Sequence, residues 1–142
     1  MHPVVLLLAD AGYGSYGALI ETSEKLDREK PNLVQRFVDA SIEGWYSYLH
    51  GDPAPGNALI KKDNPEMTDA LLAYGIGKMK EYGIVDSGDA KANGIGAMTD
   101  ARWKDFFETM VQARLYPAEL GWRKAYTLQF VNKRVGMPPG AK

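Results

Sequence analysis

The chain has 142 residues, of which 45% are hydrophobic and 25% are charged, and its formal net charge at pH 7 is −1. This composition is typical of one globular domain or part of one, and the near-zero charge argues against nucleic acid or an acidic membrane surface as a partner. The chain contains no cysteine, which excludes disulfide bonds, thiolate metal sites and cysteine nucleophiles.

The apolar run near the N-terminus lacks the features of a signal peptide. Residues 4–9 are fewer than a hydrophobic region of that kind needs, no lysine or arginine precedes them, and Asp10 follows directly. We therefore expect that, if the natural protein is exported, its signal lies outside this chain. No other apolar run is long enough to span a membrane.

The first part of the chain is predicted to form a strand, a loop and a second strand. Residues 4–9 are continuously apolar, with β-branched residues at one end, which is typical of a strand buried on both faces. Residues 12–17 contain glycines and tyrosines, and a second short apolar run follows at residues 18–22. The glycines allow backbone angles closed to other residues, so the tyrosines would lie where the strands end.

Two helices are predicted next. Ser23 is placed to cap a short helix through Leu26, and Pro31 suits the first turn of a longer helix that runs to Leu49. Residues at helical spacing give the longer helix one face to bury: Val34, Phe37, Val38, Ser41, Trp45, Tyr48 and Leu49. Two prolines and two glycines then predict a turn at residues 51–56.

The middle of the chain predicts shorter elements. Residues 57–62 suit one or two helical turns, and a further helix is expected to begin at residues 63–66, with Asp63 or Asn64 as its cap. Its apolar stripe contains Met67, Leu71, Leu72, Gly75, Ile76 and Met79. Residues 83–85 suit a short extended piece before a polar loop.

The C-terminal part predicts two more helices. Thr99 is placed to cap the most regular of them, whose apolar face is predicted to be core: Trp103, Phe106, Phe107, Met110, Val111 and Leu115. A terminal helix is predicted over residues 125–135, followed by a flexible tail at residues 136–142.

Patterns typical of catalysis are absent from the sequence. Residues 13–17 approach a nucleophile elbow, but the residue two before Ser15 is tyrosine instead of glycine. His2 and His50, the only histidines, belong to no metal-binding pattern. We therefore predict no catalytic residue, no metal site and no cofactor.

Five segments resemble the C-terminal half of substrate-binding proteins of the SsuA/THI5-like (NMT1-like) group, the solute receptors of ABC importers. They are YGALIETS at 16–23, PNLVQRFVDA at 31–40, EGW at 43–45, GIGAMTDARW at 94–103 and YTLQFVN at 126–132. The resemblance extends from about Val4 to Asn132, and the order of the segments carries more weight than any one of them.

The resemblance implies an α/β, helix-rich fold: the C-terminal part of a type II periplasmic-binding-protein fold, with two hinge-region strands followed by about five helices. Residues 1–23 would be a strand-loop-strand hinge region, residues 24–135 the helical remainder of the first lobe, and residues 136–142 a flexible tail. Most of the second lobe and the start of the first have no counterpart here, so half of the solute cleft would be missing.

The resemblance implies four positions that could face the solute: Asp10, Tyr13, Ser15 and Tyr16. A flat heterocycle stacked on a tyrosine ring, with hydroxyl and backbone groups at its edge, is the binding mode that these side chains suit. In the alternative interpretation the tyrosines cap the edge of a core and the glycines only turn the chain.

Three functions from different classes follow. The first is a solute-binding component of an ABC importer, which binds a small heterocycle such as a thiamine pyrimidine precursor, or a sulfonate-like solute. The absence of arginine from residues 10–23 favours the neutral heterocycle. The full-length protein would then be periplasmic or extracellular and would have the transporter permease as a partner.

The second function is a pyrimidine-synthesising enzyme of thiamine biosynthesis on the same fold. The resemblance associates that activity with a cysteine-rich motif and a reactive histidine in the missing half, and this chain has no cysteine. We expect a binding protein and not an enzyme. The third is a non-binding fragment that self-associates, because loss of a covering half would expose the Phe37/Trp45 face or the Phe106/Met110 face.

Overall fold

The computed structural model describes residues 4–138, and over them the chain is helix-rich with no β-strand. The helices are α1 (Glu24–Glu29), α2 (Pro31–His50), α3 (Ala54–Asp63), α4 (Asp69–Glu81), α5 (Asp89–Asn93) and α6 (Asp100–Gln112), and there are 3-10 turns at Leu8–Ala11 and Trp122–Lys124. None of the helices in this part of the chain combines the length and apolar character that crossing a membrane requires.

The chain divides into two compact units, each made of two separate stretches of sequence. The smaller unit contains residues 4–22 and Met98–Gln129, and the larger unit contains Ser23–Ala97 and residues 130–138. The glycine- and tyrosine-rich loop therefore belongs with helix α6, and helix α2 belongs with the last described residues.

Helix α2 forms the core of the larger unit. Its side chains at every fourth position, Val34, Val38 and Ile42, are buried together with Ile95 and Phe130. Burial of an aliphatic side chain contributes about 1.5–3 kcal/mol, so this cluster accounts for much of the stability of the unit.

The prediction of a long helix from Pro31 is confirmed, but its buried face differs in part. Val34, Val38 and Leu49 are buried as predicted, whereas Phe37 is 60% exposed and Trp45 is 41% exposed. Phe37 lies about 100° around the helix from Val38, so a face centred on Val38 leaves the Phe37 ring outside.

Two predicted helix starts are confirmed by their capping hydrogen bonds. The Leu26 N–H donates to the Ser23 hydroxyl oxygen over 3.1 Å, and the Arg102 N–H donates to the Thr99 hydroxyl oxygen over 3.3 Å. In both helices the side chain satisfies a backbone donor that the first turn would otherwise leave unpaired.

The predicted start of α4 at residues 63–66 is wrong, because Thr68 is the cap. The Leu71 N–H donates to the Thr68 hydroxyl oxygen over 3.2 Å, and the helix begins one residue after Thr68. The Asn64 side chain instead accepts from the Glu66 N–H over 3.1 Å. This Asx turn follows the end of α3 and delays the next helix.

The loops of the middle region also differ from prediction. The predicted turn at residues 51–56 contains the start of α3, where the Ala54 N–H donates to the Asp52 carboxylate over 3.0 Å. Residues 83–85 form a turn and not an extended piece, and α5 lies within the predicted polar loop.

The two predicted hinge strands do not form, so the α/β assignment is corrected to helical for residues 4–138. Residues 4–7 have no regular structure, and Val4 and Leu6 are each 87% exposed. Leu19 and Ile20, in the second predicted strand, are about half exposed. A strand buried on both faces needs a neighbouring strand on each side and covering helices, and the described residues supply no such strand. The first three residues of the predicted hinge lie outside the described part.

The terminal helix predicted over residues 125–135 is also wrong. Asn132 and Arg134 have φ angles of 62° and 56°, which a right-handed helix cannot contain. The segment is held instead by tertiary contacts: Phe130 is buried, and the Gln35 side-chain amide donates to its carbonyl oxygen over 3.1 Å. Of the predicted tail, residues 139–142 lie outside the described residues.

Candidate functional site

A cavity of about 180 Å³ lies in the smaller unit between the glycine- and tyrosine-rich loop and helix α6. Its lining consists of Tyr13, Ser15, Tyr16, Leu19, Arg102, Trp103 and Phe106. Three of the four residues predicted to face a solute are therefore brought together at this cavity. The fourth, Asp10, is exposed in the Leu8–Ala11 turn and is not part of the lining.

Arg102 holds the loop against helix α6. Its Nε donates to the Gly14 carbonyl oxygen over 2.8 Å and its Nη2 to the Ser15 carbonyl oxygen over 2.9 Å. The planar guanidinium suits two neighbouring carbonyl groups because its donors have a fixed geometry. These two bonds satisfy carbonyl groups of the loop that a neighbouring β-strand would otherwise have paired with.

Tyr16 forms one wall of the cavity and is held at its hydroxyl group and on the face of its ring. The Thr99 N–H donates to the Tyr16 hydroxyl oxygen over 2.8 Å, at the residue that caps α6. The Arg102 guanidinium lies 4.3 Å from the centre of the Tyr16 ring, which is a cation–π distance. The ring centre of Trp103 lies 5.7 Å away on the same wall.

Tyr13 is positioned by its own backbone turn and by Phe106. Gly12 has a φ of 92° and ends the 3-10 turn in a left-handed conformation. The Tyr13 N–H then donates to the Leu8 carbonyl oxygen over 3.0 Å. The Tyr13 ring meets the Phe106 ring edge to face, with centres 5.2 Å apart, and Tyr13 is 40% exposed.

A second layer of rings supports Trp103. Tyr126 stacks on Trp103 with 4.6 Å between centres and 5° between planes, and Trp122 lies 6.1 Å from Tyr126. The buried Trp103 indole nitrogen has no hydrogen-bond partner within residues 4–138. Stacking therefore holds the Trp103 ring in its place in this wall.

The hydroxyl of Tyr126 donates to the Asp100 carboxylate in the first turn of α6. Partial burial, and then this hydrogen bond, raise the pKa of Tyr126 to about 12. The phenol therefore stays protonated further into the alkaline range than an ordinary tyrosine and remains a donor to Asp100 there.

The cavity offers aromatic surface and a small set of polar groups. Arg102 uses two of its five donors on the loop, and its Nη1 has no hydrogen-bond partner within the described residues. Within residues 4–138, no group of three or more His, Asp or Glu side chains is arranged to hold a metal ion.

Comparisons of the chain with models of protein families, with curated proteins and with solved structures found no match.

Several lining residues were not identified from the sequence. Trp103 and Phe106 were predicted to be core, but both are half-buried and line the cavity. The sequence patterns assign no site role to Arg102, and the absence of arginine from residues 10–23 favours a neutral solute, whereas the structure places the Arg102 guanidinium in the lining. The available signal was the position of Arg102 one residue before Trp103, at the edge of the apolar face of α6.

Proposed function

We propose that this chain is the C-terminal portion of a solute-binding component of an ABC importer and that the cavity binds a small, single-ring solute. The observation that carries the proposal is the aromatic lining of the cavity together with the tethered Arg102. An apolar cavity of about 150 Å³ is large enough to hold benzene. The cavity here, at about 180 Å³, therefore suits one substituted six-membered ring.

The ring of the solute would lie against the aromatic side chains, and polar groups would fix its edge. Tyr13 and Phe106 form one aromatic pair and Tyr16 and Trp103 the other. A heterocycle such as a thiamine pyrimidine precursor has both the flat face and the polar edge that this lining suits.

A sulfonate-like solute is the second candidate, and Arg102 is the observation that favours it. The guanidinium brings a positive charge to a cavity whose loop has none. A charged hydrogen bond from Nη1 to an acidic substituent would be stronger than a bond between neutral groups.

Binding is a better proposal than catalysis for this cavity. Its lining contains hydroxyl groups and a guanidinium but no carboxylate or imidazole, and such groups are the usual proton carriers near neutral pH.

The type II periplasmic-binding-protein fold is a proposal for a longer protein of which this chain is the C-terminal portion. In that protein the exposed residues 4–9 and 18–22 would pair with strands of the absent half and become buried. The permease as a partner and the periplasmic or extracellular location rest on the family resemblance alone.

Thermal-shift measurements with single solutes test the proposal, because a ligand that binds only the folded state raises its stability. We expect a thiamine-pathway pyrimidine, or an alkyl sulfonate, to stabilise the chain by about 2.7 kcal/mol at a concentration of one hundred times its Kd. Tyr13→Ala should weaken binding about tenfold or more, because it removes an aromatic wall.

Tyr74→Ala is the matched control, since Tyr74 is 64% exposed on α4 in the larger unit. It should leave the shift unchanged. If none of the solutes shifts the transition of the folded chain, or if both tyrosine variants reduce the shift equally, the proposed site is wrong.

A further inference from the structure

Helix α2 has a stripe of uncharged, mostly apolar residues on the side away from its buried face. The stripe consists of Leu33, Phe37, Ala40, Gly44 and Ser47, spaced alternately by four and three residues. These positions fall within about 80° of the helix circumference, and the alternating spacing is that of a coiled-coil seam. Leu33 is 50% exposed and Phe37 is 60% exposed. We call this surface the outer stripe.

Side-chain size changes along the outer stripe. The two large residues, Leu33 and Phe37, lie in its N-terminal half, and the small residues lie in its C-terminal half. Gly44 is inside a helix, where glycine is unfavourable, and a Cβ added there would meet no atom of this chain within 4 Å. The packing within one chain therefore does not require the absence of a side chain at this position.

An antiparallel second copy would match these large and small halves. With a two-fold axis near Ala40, the Phe37 ring of each copy would lie over Gly44 of the other, and Leu33 would lie over Ser47. Facing helices interdigitate well where large residues lie opposite small ones, and a two-fold interface needs a surface that is complementary to itself.

Charges beside the outer stripe are complementary under the same two-fold axis. Arg36 and Glu43 are seven residues apart and border the same side of the stripe, beside a shallow surface depression that both help to line. Neither has an ion-pair partner within residues 4–138. In the antiparallel pair, Arg36 of each copy would meet Glu43 of the other, which gives two ion pairs.

We propose that two copies of this chain associate through the outer stripe as an antiparallel α2–α2 pair on a two-fold axis near Ala40. The proposal does not depend on the solute cavity, whose lining residues all belong to the smaller unit. It commits to a second copy because size and charge on the outer stripe are both self-complementary.

Sedimentation equilibrium of the full chain and of charge-reversed variants tests this pairing. Arg36→Glu or Glu43→Arg alone should raise the dimer Kd about tenfold or more, because each places like charges opposite one another. The double variant with both substitutions should restore a Kd within about threefold of the original chain. Arg28→Glu, an equal change of charge at an exposed site on α1, should have little effect.

Phe37→Asp should abolish the dimer, and circular dichroism should show that helix content is kept. Leu59→Asp, at a position 64% exposed on α3, is the control and should leave the dimer intact. A chain that is monomeric up to about 1 mM, or a double charge variant that fails to recover the Kd of the original chain, would overturn the proposal.

Discussion

Arg102 makes three contacts with the cavity loop, and a lysine could not reproduce them together. Its two hydrogen bonds to Gly14 and Ser15 and its contact with the Tyr16 ring all use the planar guanidinium. We expect Arg102→Lys to destabilise the smaller unit by about 1–3 kcal/mol. Urea denaturation followed by tryptophan fluorescence measures this loss, because Trp103 and Trp122 both belong to that unit.

Arg28→Lys provides the control for that experiment, since Arg28 is exposed on α1 in the larger unit. It should change the free energy of unfolding by less than about 0.5 kcal/mol. Equal losses in the two variants would show that the guanidinium of Arg102 has no special structural role.

The raised pKa of Tyr126 links the stability of the smaller unit to alkaline pH. An unperturbed tyrosine has a pKa of about 10, and that of Tyr126 is raised to about 12. The folded state therefore favours the protonated phenol, and this contribution is complete below pH 10 and is lost as the pH rises from about 10 through about 12. The contribution disappears when the phenol that donates to Asp100 ionises.

We expect the original chain to lose stability across this pH range more steeply than Tyr126→Phe, which has no phenol to ionise. Denaturation curves at stepped pH measure the difference, and absorbance of the phenolates reports the titration itself. Identical pH profiles for the two proteins would contradict this assignment.

The sequence predicts best the helices whose starts are marked by a local signal, such as a capping hydroxyl or a proline in the first turn. Ser23, Pro31 and Thr99 each mark a start that the structure confirms, because capping and the φ of proline act within one turn. Thr68 shows the limit of such signals, since Asn64 four residues earlier is an equally good cap by type. In the structure the Thr68 hydroxyl accepts from the helix N–H of Leu71, whereas the Asn64 side chain is used in an Asx turn.

The segment after Gln129 shows that packing can override local preference. Its periodicity suits a helix, but burial of Phe130 against α2 holds the chain in a non-helical path. Phe130→Ala should therefore cost about 3–5 kcal/mol of the free energy of unfolding. A loss below about 1 kcal/mol in chemical denaturation would contradict this role.

Phe130→Leu keeps most of the buried volume and should cost less than about 1.5 kcal/mol. The pair of variants therefore separates loss of packing from a failure to fold, because the leucine variant is expected to fold in the same way as the original chain.

At the scale of the whole molecule, the absent hinge strands and the incompletely covered face of α6 have the same cause. A strand needs partners that lie elsewhere in the chain, and residues 4–7 find none among the described residues. The cavity likewise joins a loop to a helix almost ninety residues later. The periodicity of α6 predicted that Trp103 and Phe106 are covered, but it could not predict that a loop would cover them only in part.

The exposed N-terminal run predicts an unusual tolerance to polar substitution. Val4, Val5 and Leu6 are 87%, 74% and 87% exposed, so replacing all three by serine should change the free energy of unfolding by less than about 0.5 kcal/mol. Val38→Ser, at a buried position of α2, is the contrasting variant and should cost several times more. Thermal denaturation compares them, and a large loss in the triple variant would show that the run is buried.

The discontinuity of both units has a consequence for synthesis on the ribosome. The loop near Tyr16 is made before the arginine that holds it, which lies 87 and 88 residues from its two carbonyl partners. The glutamine of α2 likewise waits for a carbonyl oxygen 95 residues later. Neither unit can close until most of the polypeptide has emerged, so closure of these long loops is expected to slow folding. During elongation the aromatic loop and the buried face of α2 would be open to chaperones. A nascent chain arrested before Arg102 emerges should be protease-sensitive in residues 4–22.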